Sequence, residues 1–241
     1  MLVPLLALAT LAACTQEPPT ASVVASAEGL FPEPIFAPAS ALETEWRRVT
    51  VWRDAPFALT AEDGEVVIAA QATGASAALV TKTEIDVERC PVVEWRWRVD
   101  AMALPADLSS RQAEDTPASI ILAFGDPGSL LNPDEVPTLR YAWASETNPV
   151  GAVVDSPYFP GILRTVVVRS GPPQPGVWVT ERRDLAADYE AAFGSPPRAP
   201  VEVVALFTDA DHQEDGRAEA FYGPLTALCT EPADPPSIFD S

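Results

Sequence analysis

Seven consecutive residues, Glu94–Asp100 (EWRWRVD), alternate without exception between two kinds. Trp95, Trp97 and Val99 fall on one face and Glu94, Arg96, Arg98 and Asp100 on the other, the period of two that a pleated strand imposes. Each indole ring buries roughly 150–250 Å², so this face must meet a second apolar layer. The charged face reads as solvated, with the floor of a groove as its alternative. Ala118–Phe124 (ASIILAF) follows as an unbroken apolar run, the pattern of a strand buried on both sides. The polar loop between the two runs carries Arg111, Glu114 and Asp115.

Further strands recur with turn signals between them. Trp46–Trp52 alternates, Ala61–Glu65 is a polar turn, and Val66–Ala72 and Ala77–Thr83 read as a pair joined through Gly74. Leu139–Ala144, Arg164–Ser170, Gly176–Arg182, Pro200–Thr208 and Arg217–Leu228 complete the series. One helix is predicted over Leu185–Phe193, capped by Asp184 and stopped by Gly194 with Pro196 and Pro197; its apolar stripe is Leu185, Tyr189, Ala192 and Phe193. The expected fold is mostly β: a single antiparallel β-sandwich of jelly-roll or galactose-binding-like type with one short helix.

The 47% apolar content suffices for one full core among the 241 residues. A formal charge of −20, from 35 acidic and 15 basic side chains, excludes nucleic acid and opposes an anionic lipid surface as partner. Leu2–Ala13 is apolar but too short to cross a bilayer. It ends in Leu11-Ala12-Ala13-Cys14, which resembles the lipobox of bacterial lipoprotein signal peptides. That resemblance implies cleavage before Cys14, lipid on Cys14 and, with Thr15 rather than Asp following, an outer-membrane lipoprotein facing the periplasm. An ordinary signal peptide with an incidental cysteine is the alternative. The expected organisation is a signal peptide (1–13), a lipidated cysteine with an Ala/Ser/Pro-rich tether (14–42), a β-sandwich (43–229) and a disordered tail (230–241). In an exported protein Cys90 and Cys229 form a candidate disulfide, with two free buried thiols as the alternative.

Counting removes several chemistries. His212 is the sole histidine, which excludes a His-rich zinc site and an H-E-x-x-H motif. The chain has no G-x-S-x-G elbow, P-loop or G-x-G-x-x-G. Arginines and carboxylates remain: Arg111, Glu114 and Asp115 before one buried strand, Asp209 and Asp211 after another. Three readings fit them. The first is an ion-pair network of Arg111 with Glu114 or Asp115. The second is a Ca²⁺ site at Asp209, Asp211 and Asp215, in a loop whose Gly216 falls two positions late for an EF-hand. The third is a pair of catalytic carboxylates, as in glycoside hydrolysis. Aromatic faces supply a sugar-binding reading, with Tyr141, Trp143, Tyr158, Phe159, Trp178 and Tyr222 as candidates. Tyr158 and Phe159, between Pro157 and Pro160, are the expected exposed pair.

Together the W-R-W-R-V-D run, R-x-x-E-D-x-P-A-x-I from Arg111, Asn148-Pro149-Val150-Gly151 and Ser156-Pro157-Tyr158 resemble a bacterial family, domain of unknown function 3047. Val166–Gly171, Arg183-Asp184-Leu185, Asp188-Tyr189, Phe193-Gly194, Thr208–Asp211 and Tyr222-Gly223 fit the same pattern. The resemblance spans roughly Trp46 to Leu228 and implies export, but no established activity. After Asp211 the family pattern reads Asn-Thr-Gly, whereas this chain has His212-Gln213-Glu214-Asp215-Gly216. The functional expectation is an envelope lipoprotein whose loop surface binds a glycan or cell-wall polymer without catalysis. A carboxylate-dependent glycoside hydrolase or lyase and a purely structural envelope protein are the alternatives.

Overall fold

The computed structural model describes residues 29–36, 46–62, 64–128 and 136–231. Cys14, the segment read as a signal peptide and nearly all of the C-terminal tail lie outside them. The described residues form β1 (Phe31–Phe36), β2 (Arg47–Trp52), β3 (Phe57–Glu62), β4 (Glu65–Thr73), β5 (Ser76–Ile85), β6 (Val92–Ala101) and β7 (Ala118–Phe124). There follow β8 (Thr138–Ala144), β9 (Val153–Asp155), β10 (Leu163–Ser170), β11 (Val179–Asp184), α1 (Leu185–Phe193), β12 (Val201–Asp209) and β13 (Arg217–Cys229). No helix among them is long and apolar enough to cross a membrane.

Two sheets pack face to face as a β-sandwich. The six-stranded sheet runs β11-β6-β13-β4-β3, with β1 also paired to β13; the seven-stranded sheet runs β2-β5-β12-β7-β8-β10-β9. Trp95, Trp97 and Val99 of β6 enter the core as the alternation requires. Ile120 and Leu122 of β7, Leu139 and Tyr141 of β8, and Val204 and Leu206 of β12 meet them from the opposite sheet. Trp95 stacks on Tyr141 at 5.1 Å between ring centroids. The Arg face of β6 is not bare: Arg96 and Arg98 stack on Trp178 (4.4 and 5.3 Å), and Arg98 also covers Phe221.

The antiparallel expectation fails at one pair, since β8 and β10 run parallel. After β8 the chain makes the edge strand β9 and returns as β10 between the two, so the antiparallel β9–β10 hairpin forces β10 alongside β8. A second correction concerns the tether: Phe31–Phe36 is a strand on the C-terminal half of β13. Pro32 and Pro34 are compatible with an edge position, and Glu33 receives two 2.6 Å bonds from Arg89. Nearby, Cys90 and Cys229 are joined in a disulfide. The helix starts as its cap predicts, with Asp184 accepting from the Ala187 N–H at 2.9 Å, and it seats Tyr189 on Phe124.

A third correction bears on the site. The strands flanking Gly74 do not pair; β4 lies in one sheet and β5 in the other, so Gly74 makes the corner between layers. Small residues, Ala72, Ala75, Ala77, Ala210 and Ala218, fill that corner. Gly74 has φ +52°, and a Cβ placed there would lie 2.6 Å from the Glu214 carbonyl oxygen. Its N–H donates to Gly216 O at 2.9 Å, which ties the corner to the loop after β12. Gly74→Ala is therefore expected to cost about 1–3 kcal/mol, read as a lower urea midpoint with an unchanged m-value. An unaltered midpoint would show that the loop yields freely.

Candidate functional site

Strands β5, β7, β8 and β12 are apolar on both faces, so a second, outward-facing apolar surface exists. Alternating with the core residues, Ala78, Val80, Ala123, Val203 and Ala205 form a separate buried cluster, with Ile121 and Phe207 packed on it. Beside them stands a charge. Arg140 of β8 pairs with Ile121 on one side and Thr165 on the other, and is 2% exposed. Its Nε donates to Thr165 Oγ1 at 2.7 Å, and its terminal nitrogen pairs with Glu114. An ion this buried persists only where a partner and further hydrogen bonds replace water.

Two loops rise over this surface. The β6–β7 loop folds back so that Leu108 packs on Ala142, Ala144 and Val167. Asn148 pins it by accepting from the Leu108 N–H at 2.9 Å, which gives the family-like Asn148 segment a structural role. The β9–β10 turn brings Ser156, Tyr158 and Phe159 to the other side. The result is a groove of about 430 Å³ whose floor holds Ile121, Arg140 and Phe207 and whose rim holds Trp52 and Tyr158. Trp52 is 55% exposed and Tyr158 41%.

At one end of the groove four ionisable groups converge. One ligand-type atom from each of Asp115, Asp209, Asp211 and His212 lies within 4.8 Å of every other. His212 Nδ1 is 2.9 Å from Asp115 Oδ1 and 3.2 Å from Asp211 Oδ1. The His212 N–H also donates to Asp115 Oδ1, and the Asp211 N–H to Asp209 Oδ1, both at 3.2 Å. Ser76 Oγ donates to Asp211 Oδ2. On the far side of the ring, Nε2 lies 2.8 Å from Arg111 O and 3.0 Å from the Tyr158 hydroxyl. Tyr158 itself donates to Arg111 O at 2.9 Å.

Burial, followed by the charges of Asp211, Asp115 and Glu114, pushes the Asp209 carboxyl well above the usual range. For His212 burial alone would lower the pKa, but the bond and charge of Asp115, with Asp211 and Arg111 O, carry it upward. Burial and the charges of Glu114, Asp211 and Asp209 raise the Tyr158 hydroxyl.

The structure thus gathers Glu114, Asp209, Asp211 and Tyr158 into one groove, with Asp115 buried beside His212, but with partners other than those expected. Arg111 pairs with neither Glu114 nor Asp115; its Nε donates to Pro157 O at 2.7 Å and its guanidinium covers the Tyr158 ring. Asp215 is exposed and not one of the four clustered groups. Tyr222 is a core residue, 1% exposed, with its hydroxyl on Thr208 and Phe207 O. Tyr141 and Trp143 are likewise core. Sequence reasoning missed Arg140, Trp52 and the role of His212. A lone Arg in the apolar run TLRYAWA was the available signal for Arg140, since such a charge demands a buried partner.

No curated protein matches the chain. Among solved structures it is similar to the family 11 carbohydrate-binding module of a cellulosomal cellulase from Clostridium thermocellum. The TM-score is 0.44 at 6% identity, over 83% of this chain and 96% of that one. It is also similar to the carbohydrate recognition domain of Emp47p, with TM-score 0.45, 12% identity, and coverage of 86% and 99%. A third is TmCBM27, a mannan-recognising carbohydrate-binding module, with TM-score 0.36, 12% identity, and coverage of 83% and 96%. At these values the likeness says nothing of a ligand. The sequence match is of another order: residues 44–226 fit the model of the family described as protein of unknown function (DUF3047), and the chain belongs to that family.

Proposed function

We propose that this protein is a non-catalytic binding module of the cell envelope, tethered through lipid on Cys14, whose groove takes a segment of a glycan or cell-wall polymer. The groove itself carries this reading. It offers exposed aromatic rings, Trp52 and Tyr158, to the C–H face of a sugar ring, and the carboxyl of Asp211 to its hydroxyls. Aromatic anchors contribute large contact area with little conformational freedom lost, and the cluster at the groove end would orient the ring.

The test is affinity electrophoresis of the protein and its Trp52→Ala variant through gels containing envelope and plant polysaccharides. Trp52 is exposed, so the substitution leaves the core intact. Retardation by at least one polymer is expected, with Trp52→Ala weakening it by about 2 kcal/mol, roughly 30-fold in Kd. Retardation that the variant keeps in full would place the ligand elsewhere.

One observation favours cleavage as a second reading: Asp209, whose carboxyl burial pushes well above its usual range, lies beside the carboxyl of Asp211, and two adjacent carboxyls in unlike surroundings are what acid–base cleavage of a glycosidic bond requires. Release of reducing or unsaturated ends from a bound polymer would select it. Glu114, in contrast, is engaged by Arg140 and is a poor candidate for the acid. A panel that binds nothing at all would favour a purely structural envelope component.

A further inference from the structure

We infer that Asp115, Asp209, Asp211 and His212 form a binding site for one divalent transition-metal ion of the Mn²⁺ or Zn²⁺ kind. Clustered acids alone do not make such a site, and two further observations point to it. The first is Asp115. It is 2% exposed, its Oδ1 faces the His212 ring, and its Oδ2 has no hydrogen-bond partner among the described residues. A buried carboxylate oxygen left without a donor is costly unless a cation completes it.

The second is the orientation of the imidazole. Arg111 O can only accept, so the Nε2 that meets it at 2.8 Å carries the hydrogen. Nδ1 is then the nitrogen turned toward the carboxylates of Asp115 and Asp211. A bare lone pair cannot face two carboxylate oxygens at such distances. Either a proton or a metal ion lies between them, and three acids around one imidazole leave an excess of negative charge that a divalent ion offsets better than a proton. A carbonyl or hydroxyl holding the remote ring nitrogen is also the usual support of a metal-bound histidine, and here Arg111 O and Tyr158 supply it.

The donor set selects the ion. Three carboxylates suit hard cations, but one imidazole nitrogen favours Mn²⁺ or Zn²⁺ over Ca²⁺, which takes oxygen ligands almost alone. Among the described residues one other group of this kind comes together, Glu33 with Cys90 and Cys229, and the disulfide consumes both thiols. The metal site stands whether or not the groove takes a sugar, because its test uses the metal alone.

Full-length protein without a histidine tag, stripped with EDTA and dialysed, is titrated calorimetrically with MnCl₂, ZnCl₂ or CaCl₂. One ion per chain is expected for Mn²⁺ or Zn²⁺, with Ca²⁺ weaker. Asp209→Asn and His212→Ala should lower the affinity by at least about 10–100-fold. Should either variant fail to fold, pulsed electron paramagnetic resonance of the Mn²⁺-loaded wild type decides. Nitrogen coupling from one imidazole supports the assignment, and a fully oxygen-ligated spectrum overturns it. Binding of Ca²⁺ alone, absence of stoichiometric binding by any of the three, or unchanged affinity in folded variants would each overturn it too.

Discussion

Arg140→Met is expected to lower the stability of this protein by about 3–5 kcal/mol, the usual cost of stranding one member of a buried ion pair. Arg140 is 2% exposed and Glu114 6%, so neither can turn to water when its partner goes. Loss of the guanidinium also leaves Thr165 Oγ1 without its 2.7 Å donor. Glu114 would then stand unpaired in a groove end where its charge already bears on Asp209. The melting temperature should fall by roughly 6–20 °C for a domain of this size. The pair is expected to be conditional rather than strongly stabilising in itself, so Arg140→Met combined with Glu114→Gln should regain much of the loss. A single variant within about 1 kcal/mol of wild type, or a double variant no better than the single, would remove the ion pair as the anchor of the groove floor.

Loss of the disulfide should cost as much by another route. The bridge joins residues 139 apart in the sequence, and closing a loop of that length removes enough freedom from the unfolded chain to contribute about 5 kcal/mol in the chain-entropy model. In the folded state it sits where β1, β6 and β13 meet, with Thr230 donating to Arg89 O at 2.8 Å just beyond it. Cys90→Ala with Cys229→Ala should therefore shift the denaturation midpoint strongly while leaving the groove's ligand binding intact, since the groove lies on the opposite sheet. A loss below about 1 kcal/mol, or two free thiols in the denatured, unreduced protein, would contradict it.

Alternation in the sequence told correctly which way each side chain of EWRWRVD points, because a pleated strand leaves no choice. The helix was equally legible, since Asp184 and Gly194 act within one turn of its ends. What could not be read was who stands opposite whom. Arg111 looked like the partner of Glu114 because they are three residues apart, yet Glu114 is held from β8 and Asp115 by the loop after β12. Period two fixes a face but never a neighbouring strand. Gly74 failed for a related reason: a glycine between two strands serves a hairpin and a corner between sheets alike, and only the sheet order separates them. The strand Phe31–Phe36 was hidden by its prolines, which an edge strand tolerates. Residue type alone makes Tyr222 a candidate binding aromatic, whereas its strand alternates it into the core. The acids at 114–115 and 209–211 were legible as candidates because both stand at the ends of apolar strands, and β7 and β12 are neighbours in one sheet.

The measurement that bears most directly on the groove as a binding site is the melting temperature of the full chain across a panel of envelope glycans, peptidoglycan fragments and polysaccharides, with Trp52→Ala alongside. A ligand present at 100 times its Kd adds about 2.7 kcal/mol, roughly 5–10 °C for this size. We expect at least one glycan to raise the wild-type transition by that order and to raise that of Trp52→Ala by only about a third as much, since a roughly 30-fold weaker Kd leaves about 0.9 kcal/mol of stabilisation at the same ligand concentration. No shift with any glycan, or an equal shift in the variant, would contradict the assignment of this groove.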